Sequence, residues 1–232
     1  MIINKAMILG AGFGKRMLPL TAKTPKPLIK VGPKNLLERT IELLIKLGIN
    51  DLVINTHYLH EEIDSFIKNK NYKISISTIQ EPQLLDTGGG ILNATKKFED
   101  NPFFVLNPDT IWSKNYYEEL KILENSYLEK NKPILLLVDK KFSHDKSFEG
   151  DFNFRENNYI VRESNNQKIF TGAQIINRSI FEIIKKEIFS MNLIWDQMIK
   201  EKKLLGQESS QTFFHVNNLK VYKELNNLKF ID

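Results

Sequence analysis

The chain has 232 residues, 41% hydrophobic and 26% charged, enough to bury one substantial core near the upper size of a single domain. It has no cysteine, which excludes disulfides, thiolate metal sites and cysteine nucleophiles, and no apolar run long enough to span a bilayer. The net charge is +5, but the basic residues lie in scattered pairs beside acids (Lys140-Lys141, Lys185-Lys186, Lys202-Lys203) and form no stripe, so nucleic acid is not an expected partner.

Residues 6–9 are an apolar run that predicts the first strand. The run opens into a loop with Gly10, Gly12 and Gly14 at alternate positions and Ala11 between the first two. Without a Cβ, the backbone there can bend sharply and approach a ligand closely. Successive N–H groups can wrap an anion, and Lys15, Arg16 and Lys26 add full positive charge. The loop therefore reads as a cradle for nucleotide phosphates, the alternative being a structural turn with incidental basic residues. A dinucleotide-binding turn is excluded. Lys15 stands where its third glycine belongs, Pro19, Pro25 and Pro27 interrupt any long helix after it, and the second strand ends in Asn55, Thr56 and His57 with no acid. A Walker loop is excluded too, since Arg16 follows Lys15 where Ser or Thr is required.

Asn35, followed three residues later by Glu38, predicts a helix N-terminus; Leu36, Leu37, Leu43, Leu44 and Leu47 give it an apolar face and Gly48 a C-terminal cap. Strands follow at 51–55 and 72–79, with a short helix at 61–68 between them. Residues 81–90 form a loop ending in three glycines ahead of a helix at 91–97, then comes a buried strand at 102–106 with Asp109 just beyond it. A helix at 115–130 returns the chain to an apolar strand at 133–138. This alternation predicts an α/β fold of three layers, a mostly parallel, Rossmann-like central sheet with helices on both faces. Ligands in such sheets collect beyond the carboxyl ends of the strands, where Gly10, Asn55, Glu81 and Asp109 all fall.

From 139 to 170 the sequence is polar and broken, with short strands at 151–154 and 159–162, a β excursion suited to a small lid. A strand at 174–177, a helix at 179–188 and another helix introduced by Ser190 complete the regular pattern. No internal repeat or linker is visible, so residues 1–232 read as a single domain.

Arg16, the run Pro19, Leu20, Thr21, and the run Pro25, Lys26, Pro27 have the order and spacing of the opening motif of the sugar nucleotidyltransferases (NDP-sugar pyrophosphorylases). The chain resembles that family, and the run Thr87, Gly88, Gly89, Gly90 is similar to its N-acetylmuramate 1-phosphate uridylyltransferase and mannose-1-phosphate guanylyltransferase-like branch. The resemblance implies that Gly10, Ala11, Gly12, Gly14, Lys15, Arg16, Asn55, Glu81 and Gly88 serve the nucleotide. It places Asp151, Glu163 and Gly172 on the sugar side, where solvated loop charges are the alternative for the two acids. Asp109 aligns with the family's metal-binding Asp, although Pro108 replaces the usual small residue beside it. His215 stands where many members carry a second metal-ligating Asp. Either it contacts phosphate, or the metal relies on Asp109, substrate oxygens and water, or His215 is a structural neighbour of the site.

The implied reaction is attack of a sugar 1-phosphate oxygen on the α-phosphorus of a nucleoside triphosphate, with release of pyrophosphate. A phosphate monoester has its second pKa at roughly 6, so the nucleophile is largely ionised at neutral pH and no general base is needed. The catalytic set is then Arg16, Lys26 and Asp109, with Mg²⁺ (or Mn²⁺) as cofactor. Uridylyl transfer to N-acetylmuramate 1-phosphate is the preferred reading; the alternatives are guanylyl transfer to mannose 1-phosphate and a catalytically impaired nucleotide- or sugar-phosphate-binding module. The expected partners are the two small substrates, with neither nucleic acid nor membrane, for a cytoplasmic monomer or small homo-oligomer. The chain ends soon after its last helix without the β-helix extension of larger relatives, so no appended domain is expected.

Overall fold

The computed structural model describes residues 2–228. Seven strands form one sheet: β1 (Lys5–Leu9), β2 (Asp51–Thr56), β3 (Ser75–Gln80), β4 (Phe103–Leu106), β5 (Ile134–Asp139), β6 (Lys168–Ile176) and β7 (Leu205–Ser209), in the order β7-β5-β6-β4-β1-β2-β3. Only β6 runs against its neighbours; every other pairing is parallel. Six α-helices accompany them among the described residues: α1 (Leu36–Leu47), α2 (His60–Lys70), α3 (Asp86–Ala94), α4 (Tyr116–Lys130), α5 (Met191–Lys200) and α6 (Leu219–Asn227). None of the helices is long and apolar enough to cross a membrane.

Strand alternation builds both layers of core. On β1, Ala6 and Ile8 face one way with Leu37, Ile41 and Leu44 of α1, Ile63 of α2 and Leu120 and Leu123 of α4. Met7 faces the other way, against Ile91 of α3 and Ile194 and Met198 of α5. Side chains one residue apart on a strand must point to opposite faces, so this strand is apolar throughout. A third cluster, Met17, Ile29, Val31, Leu36, Val216, Val221 and Leu225, fixes α6 and the short ribbon Lys30–Val31 and Lys34–Asn35 beneath the glycine loop. The stretch expected to form a lid carries a second ribbon, Asn153–Phe154 paired with Ile160–Val161, which packs against Gly206 of β7 and lines no part of the cavity described below.

The start of α1 is as the sequence indicates: Asn35 Oδ1 accepts the Glu38 N–H at 2.7 Å, and Gly48 closes the helix with φ 95°. Helix α3 begins at Asp86, five residues ahead of the expected start, and runs through Gly88, Gly89 and Gly90. Three glycines disfavour a helix by about 1 kcal/mol each, but here close packing overrides propensity. A Cβ on Gly88 would lie 2.4 Å from the Phe189 ring, and one on Gly89 would lie 2.2 Å from the Glu187 carbonyl. The helix expected at 179–188 does not form; a 3-10 turn, Arg178–Phe181, stands in its place. Phe189 is drawn into backbone bonds with Leu85 and Gly89, and the irregular chain ahead of it meets them where a helix would not. Strand β7 was not expected, because its Gly206, Gln207 and Glu208 give no strand signal; its pairing with β5 creates it.

Candidate active site

The carboxyl ends of β1, β2, β3 and β4 open on a cavity of about 620 Å³. At β1 the chain leaves the sheet through Gly10, whose N–H donates to Asn55 Oδ1 at 2.9 Å. A Cβ there would stand 2.7 Å from the Asn55 carbonyl, so the residue has to be glycine. Gly14 takes φ 61° and Thr21 donates to its carbonyl at 2.9 Å, folding the loop over the 3-10 turn Lys15–Met17. Met17 is buried in the third cluster, which leaves Lys15 and Arg16 exposed on the cavity wall.

Facing them is the turn after β4. Asn107 N–H donates to the Gly172 carbonyl at 2.8 Å, Trp112 Nε1–H to the Asn107 carbonyl at 2.8 Å, and Thr110 Oγ1 to the Thr171 carbonyl at 2.6 Å. So held, Asp109 receives Lys26 Nζ on Oδ2 at 2.5 Å, with His215 Nε2 3.6 Å from the same oxygen. His215 reaches this position because the segment around it pairs with the turn: Ile111 N–H donates to the Phe214 carbonyl and Val216 N–H to that of Asp109, both at 2.8 Å. Asp109 Oδ1 and His215 Nδ1 are buried with no hydrogen-bond partner. Burial opposes ionisation of Asp109, but His215 and Lys26 outweigh it and bring the carboxyl down to about 2. Burial lowers His215 as well, with Lys26 and Arg16 pushing the same way against Asp109. That direction favours the neutral imidazole near pH 7 and leaves Lys26 as the cation bound to Asp109; the His215 charge adds to the depression of Asp109 only at acid pH, where the ring is protonated.

Of the residues expected to serve the nucleotide, Gly10, Ala11, Gly12, Gly14, Lys15, Arg16, Asn55 and Glu81 line this cavity together with Lys26 and Asp109. Gly88 does not; it lies buried against Phe189. Asn55 and Glu81 spend their polar atoms inward. Asn55 Nδ2 donates to Glu81 Oε1 at 2.7 Å, and Glu81 Oε2 accepts the Leu85 N–H at 3.1 Å.

The three residues expected on the sugar side lie outside the lining. Gly172, at φ 94°, backs the Asp109 turn, where a Cβ would stand 2.9 Å from Asn107 Cβ. Asp151 accepts the Phe170 N–H at 2.8 Å beside β6. Glu163 is bound by Arg155 and Asn153 beside the second ribbon.

The lining also takes in Leu84, Asp86 and Thr87 from the 81–90 loop, which the family resemblance assigns to the nucleobase, and Asn217 from the late segment around His215. For Asp86 a signal existed: an acid set directly ahead of a threonine and three glycines.

Chemically, this is a cleft lined by three cations, Lys15, Arg16 and Lys26, and by the acids Asp109, Asp86 and Glu81, the last bonded inward. The model of the nucleotidyl transferase family matches residues 5–144. Among curated relatives, the N-acetylmuramate alpha-1-phosphate uridylyltransferase of Caulobacter vibrioides is 25% identical over 227 residues, covering 92% of this chain and 91% of that protein. The probable mannose-1-phosphate guanylyltransferase 1 of Oryza sativa subsp. japonica is 32% identical over 203 residues, 80% of this chain, which spans only 55% of that protein's length. Among solved structures, HddC from Yersinia pseudotuberculosis complexed with GMP-PN aligns at TM-score 0.77 and 22% identity, covering 97% of this chain and 98% of that one. UDP-glucose pyrophosphorylase complexed with UDP-glucose aligns at TM-score 0.81 and 19% identity with the same coverage. At such identities the structural likeness speaks for the fold alone.

Proposed function

The chain belongs to the nucleotidyl transferase family, and on that premise we propose that it joins a sugar 1-phosphate to a nucleoside triphosphate with release of pyrophosphate. The observation that carries this reading is the gathering of Lys15, Arg16, Lys26 and Asp109 around one cavity. Two polyanions repel each other, and what their reaction needs from a protein is alignment and neutralisation of charge. A phosphate oxygen of the sugar substrate forms a bond to the α-phosphorus as the bond from that phosphorus to the β-bridging oxygen breaks. The leaving pyrophosphate takes the electron pair. Arg16 and Lys15 serve the β- and γ-phosphates, whose charge grows as the bond breaks. Lys26, held by Asp109, stands where the two anions meet.

Asp109 also fits a divalent ion. No group of three or more His, Asp or Glu residues among the described ones makes a protein-only site. Mg²⁺, however, takes one or two carboxylates and completes its shell with substrate phosphates and water, and Asp109, whose Oδ1 has no hydrogen-bond partner, would be the residue to hold it. Held there, the ion would supply further charge stabilisation for the reacting phosphates. His215 is a poor partner for so hard a cation, and its neutral imidazole acts beside Asp109 as a packing neighbour between Phe213 and Phe148.

We take UTP and N-acetylmuramate 1-phosphate as the substrates, because the relative named for that reaction matches the chain nearly end to end. Guanylyl transfer to mannose 1-phosphate is the second reading, favoured by the higher identity to the rice protein. A coupled pyrophosphate-release assay over the four nucleoside triphosphates and a panel of sugar 1-phosphates tests both. Turnover with one pairing supports the reading. Binding without turnover across the panel, with Mg²⁺ or Mn²⁺, would make the chain a binding module.

A further inference from the structure

Resting on that reading, we propose that Asn217 donates a side-chain N–H to the phosphate of the sugar substrate and that Asp145 positions it. Asn217 is half-buried and lines the cavity, on a segment fixed at both ends. Just before it, Val216 N–H donates to the Asp109 carbonyl at 2.8 Å. Just after it, Asn218 caps α6, its Oδ1 accepting the Val221 N–H at 3.0 Å. The Phe213 carbonyl takes the His144 N–H at 2.9 Å, which brings Asp145 alongside.

A chain of hydrogen bonds decides which way the Asn217 carboxamide points. Because Asn218 Oδ1 is taken by Val221, Asn218 Nδ2 faces Asn217 and donates to its Oδ1 at 2.7 Å. Asn217 Nδ2 then donates to Asp145 Oδ2 at 3.1 Å. Asp145 Oδ1 accepts the Ser147 N–H at 2.9 Å and the Ser147 hydroxyl at 2.6 Å. Ser147 above all, and then Asn217 and Lys220, hold the Asp145 carboxyl below its ordinary range, so it is an acceptor only at neutral pH. Turning the Asn217 amide over would set oxygen against carboxylate and NH₂ against NH₂. Nδ2 carries two hydrogens, and Asp145 takes one. The second has no partner among the described residues and is left for what the cavity holds.

The sugar phosphate is the anion without a donor of its own. Lys15 and Arg16 stand on the glycine loop with the triphosphate, and Lys26 is tied to Asp109. Asn217 arrives on a separate segment, bonded to the Asp109 turn. A cation in its place would draw charge from the oxygen that must attack. A neutral N–H orients the phosphate and leaves that charge for the α-phosphorus.

The test measures pyrophosphate release by the full chain with UTP and N-acetylmuramate 1-phosphate and with GTP and mannose 1-phosphate, beside equilibrium binding of UTP and GTP alone. Asn217→Ala should lower kcat/KM for the sugar phosphate about 10- to 100-fold, the range for a hydrogen bond to a charged group, and leave nucleotide binding as in wild type. Asp145→Ala, which frees the amide to turn, should lower the same quantity less. The exchange Asp145→Asn with Asn217→Asp separates donation from scaffolding. The carboxamide introduced at 145 keeps both Ser147 bonds on its oxygen and donates to the carboxylate introduced at 217, which still accepts from Asn218. Thermal melting should therefore match wild type, while kcat/KM for the sugar phosphate stays as low as in Asn217→Ala, because the donor to the cavity is gone. If the exchange variant does not fold, Asn217→Ala decides alone. Recovery of wild-type efficiency by the exchange would overturn the inference, as would a full rate in Asn217→Ala. Loss of UTP or GTP binding in Asn217→Ala would do so too, by assigning the donor to the triphosphate. If the wild-type chain turns over neither pair, the proposed function itself falls and this inference with it.

Discussion

Exchanging the two members of the Asn55–Glu81 pair should restore what changing either one destroys. Both side chains are buried, at 2% and 1% exposure, so water cannot replace a lost partner. Gly10 N–H donates to Asn55, Asn55 Nδ2 to Glu81 Oε1, and Leu85 N–H to Glu81 Oε2, tying the phosphate loop to the loop at 81–90. In Glu81→Gln, one carboxylate oxygen becomes an NH₂ and faces a donor, either Asn55 Nδ2 or the Leu85 N–H. Losing a bond to a charged acceptor while burying donor against donor costs about 1.5–3 kcal/mol. In Asn55→Asp, two buried carboxylates meet and one must take a proton, at a similar cost. In the double variant the carboxylate introduced at position 55 accepts from Gly10 and from the carboxamide introduced at 81. That carboxamide's oxygen accepts from Leu85, so every bond returns with the middle donor reversed. Urea denaturation should show each single variant destabilised and the double variant recovering roughly 2 kcal/mol relative to their sum. Nucleotide KM should rise in both singles and fall back in the double, with the KM for sugar phosphate little changed. A double variant as weak as the two singles added together would refute the reasoning.

Asp109→Asn should change how stability depends on pH. The carboxyl is depressed from its ordinary value near 3.8 to about 2, so its contribution is present above pH 4 and lost as the pH falls through 2. The stability gap between wild type and variant should therefore shrink by roughly 2 kcal/mol between pH 5 and pH 2, read by denaturant titration at each pH. Gly88→Ala should lower the melting temperature, because the new methyl would press on the Phe189 ring from 2.4 Å; overpacking of this kind costs about 1–3 kcal/mol. Trp112→Phe removes the N–H that holds the Asn107 carbonyl, and should cost roughly 1 kcal/mol while weakening turnover more than nucleotide binding.

Much of this arrangement was legible in the sequence because short-range rules govern it. Alternate glycines, the Asn35 cap and apolar runs of strand length are local signals, and they placed Gly10, Asn55, Glu81 and Asp109 at one edge of the sheet. The start of α3 and the 3-10 turn at Arg178–Phe181 were not legible, because Phe189 decides both from a distance. The same holds for what the site residues do with their polar atoms. Sequence marks Asn55 and Glu81 as polar groups at a ligand edge; only the folded chain shows that they bind each other and Gly10.

The account stands most directly on the rate of pyrophosphate release by Arg16→Ala, measured with saturating nucleoside triphosphate and sugar 1-phosphate beside the wild-type chain. Arg16 is exposed and buries no apolar contact of the core, so unfolding of the variant should match wild type. Turnover should fall about 10²- to 10³-fold, the range for losing one preorganised charge-stabilising group. Turnover within a few-fold of wild type would contradict the claim that this wall of cations performs the reaction.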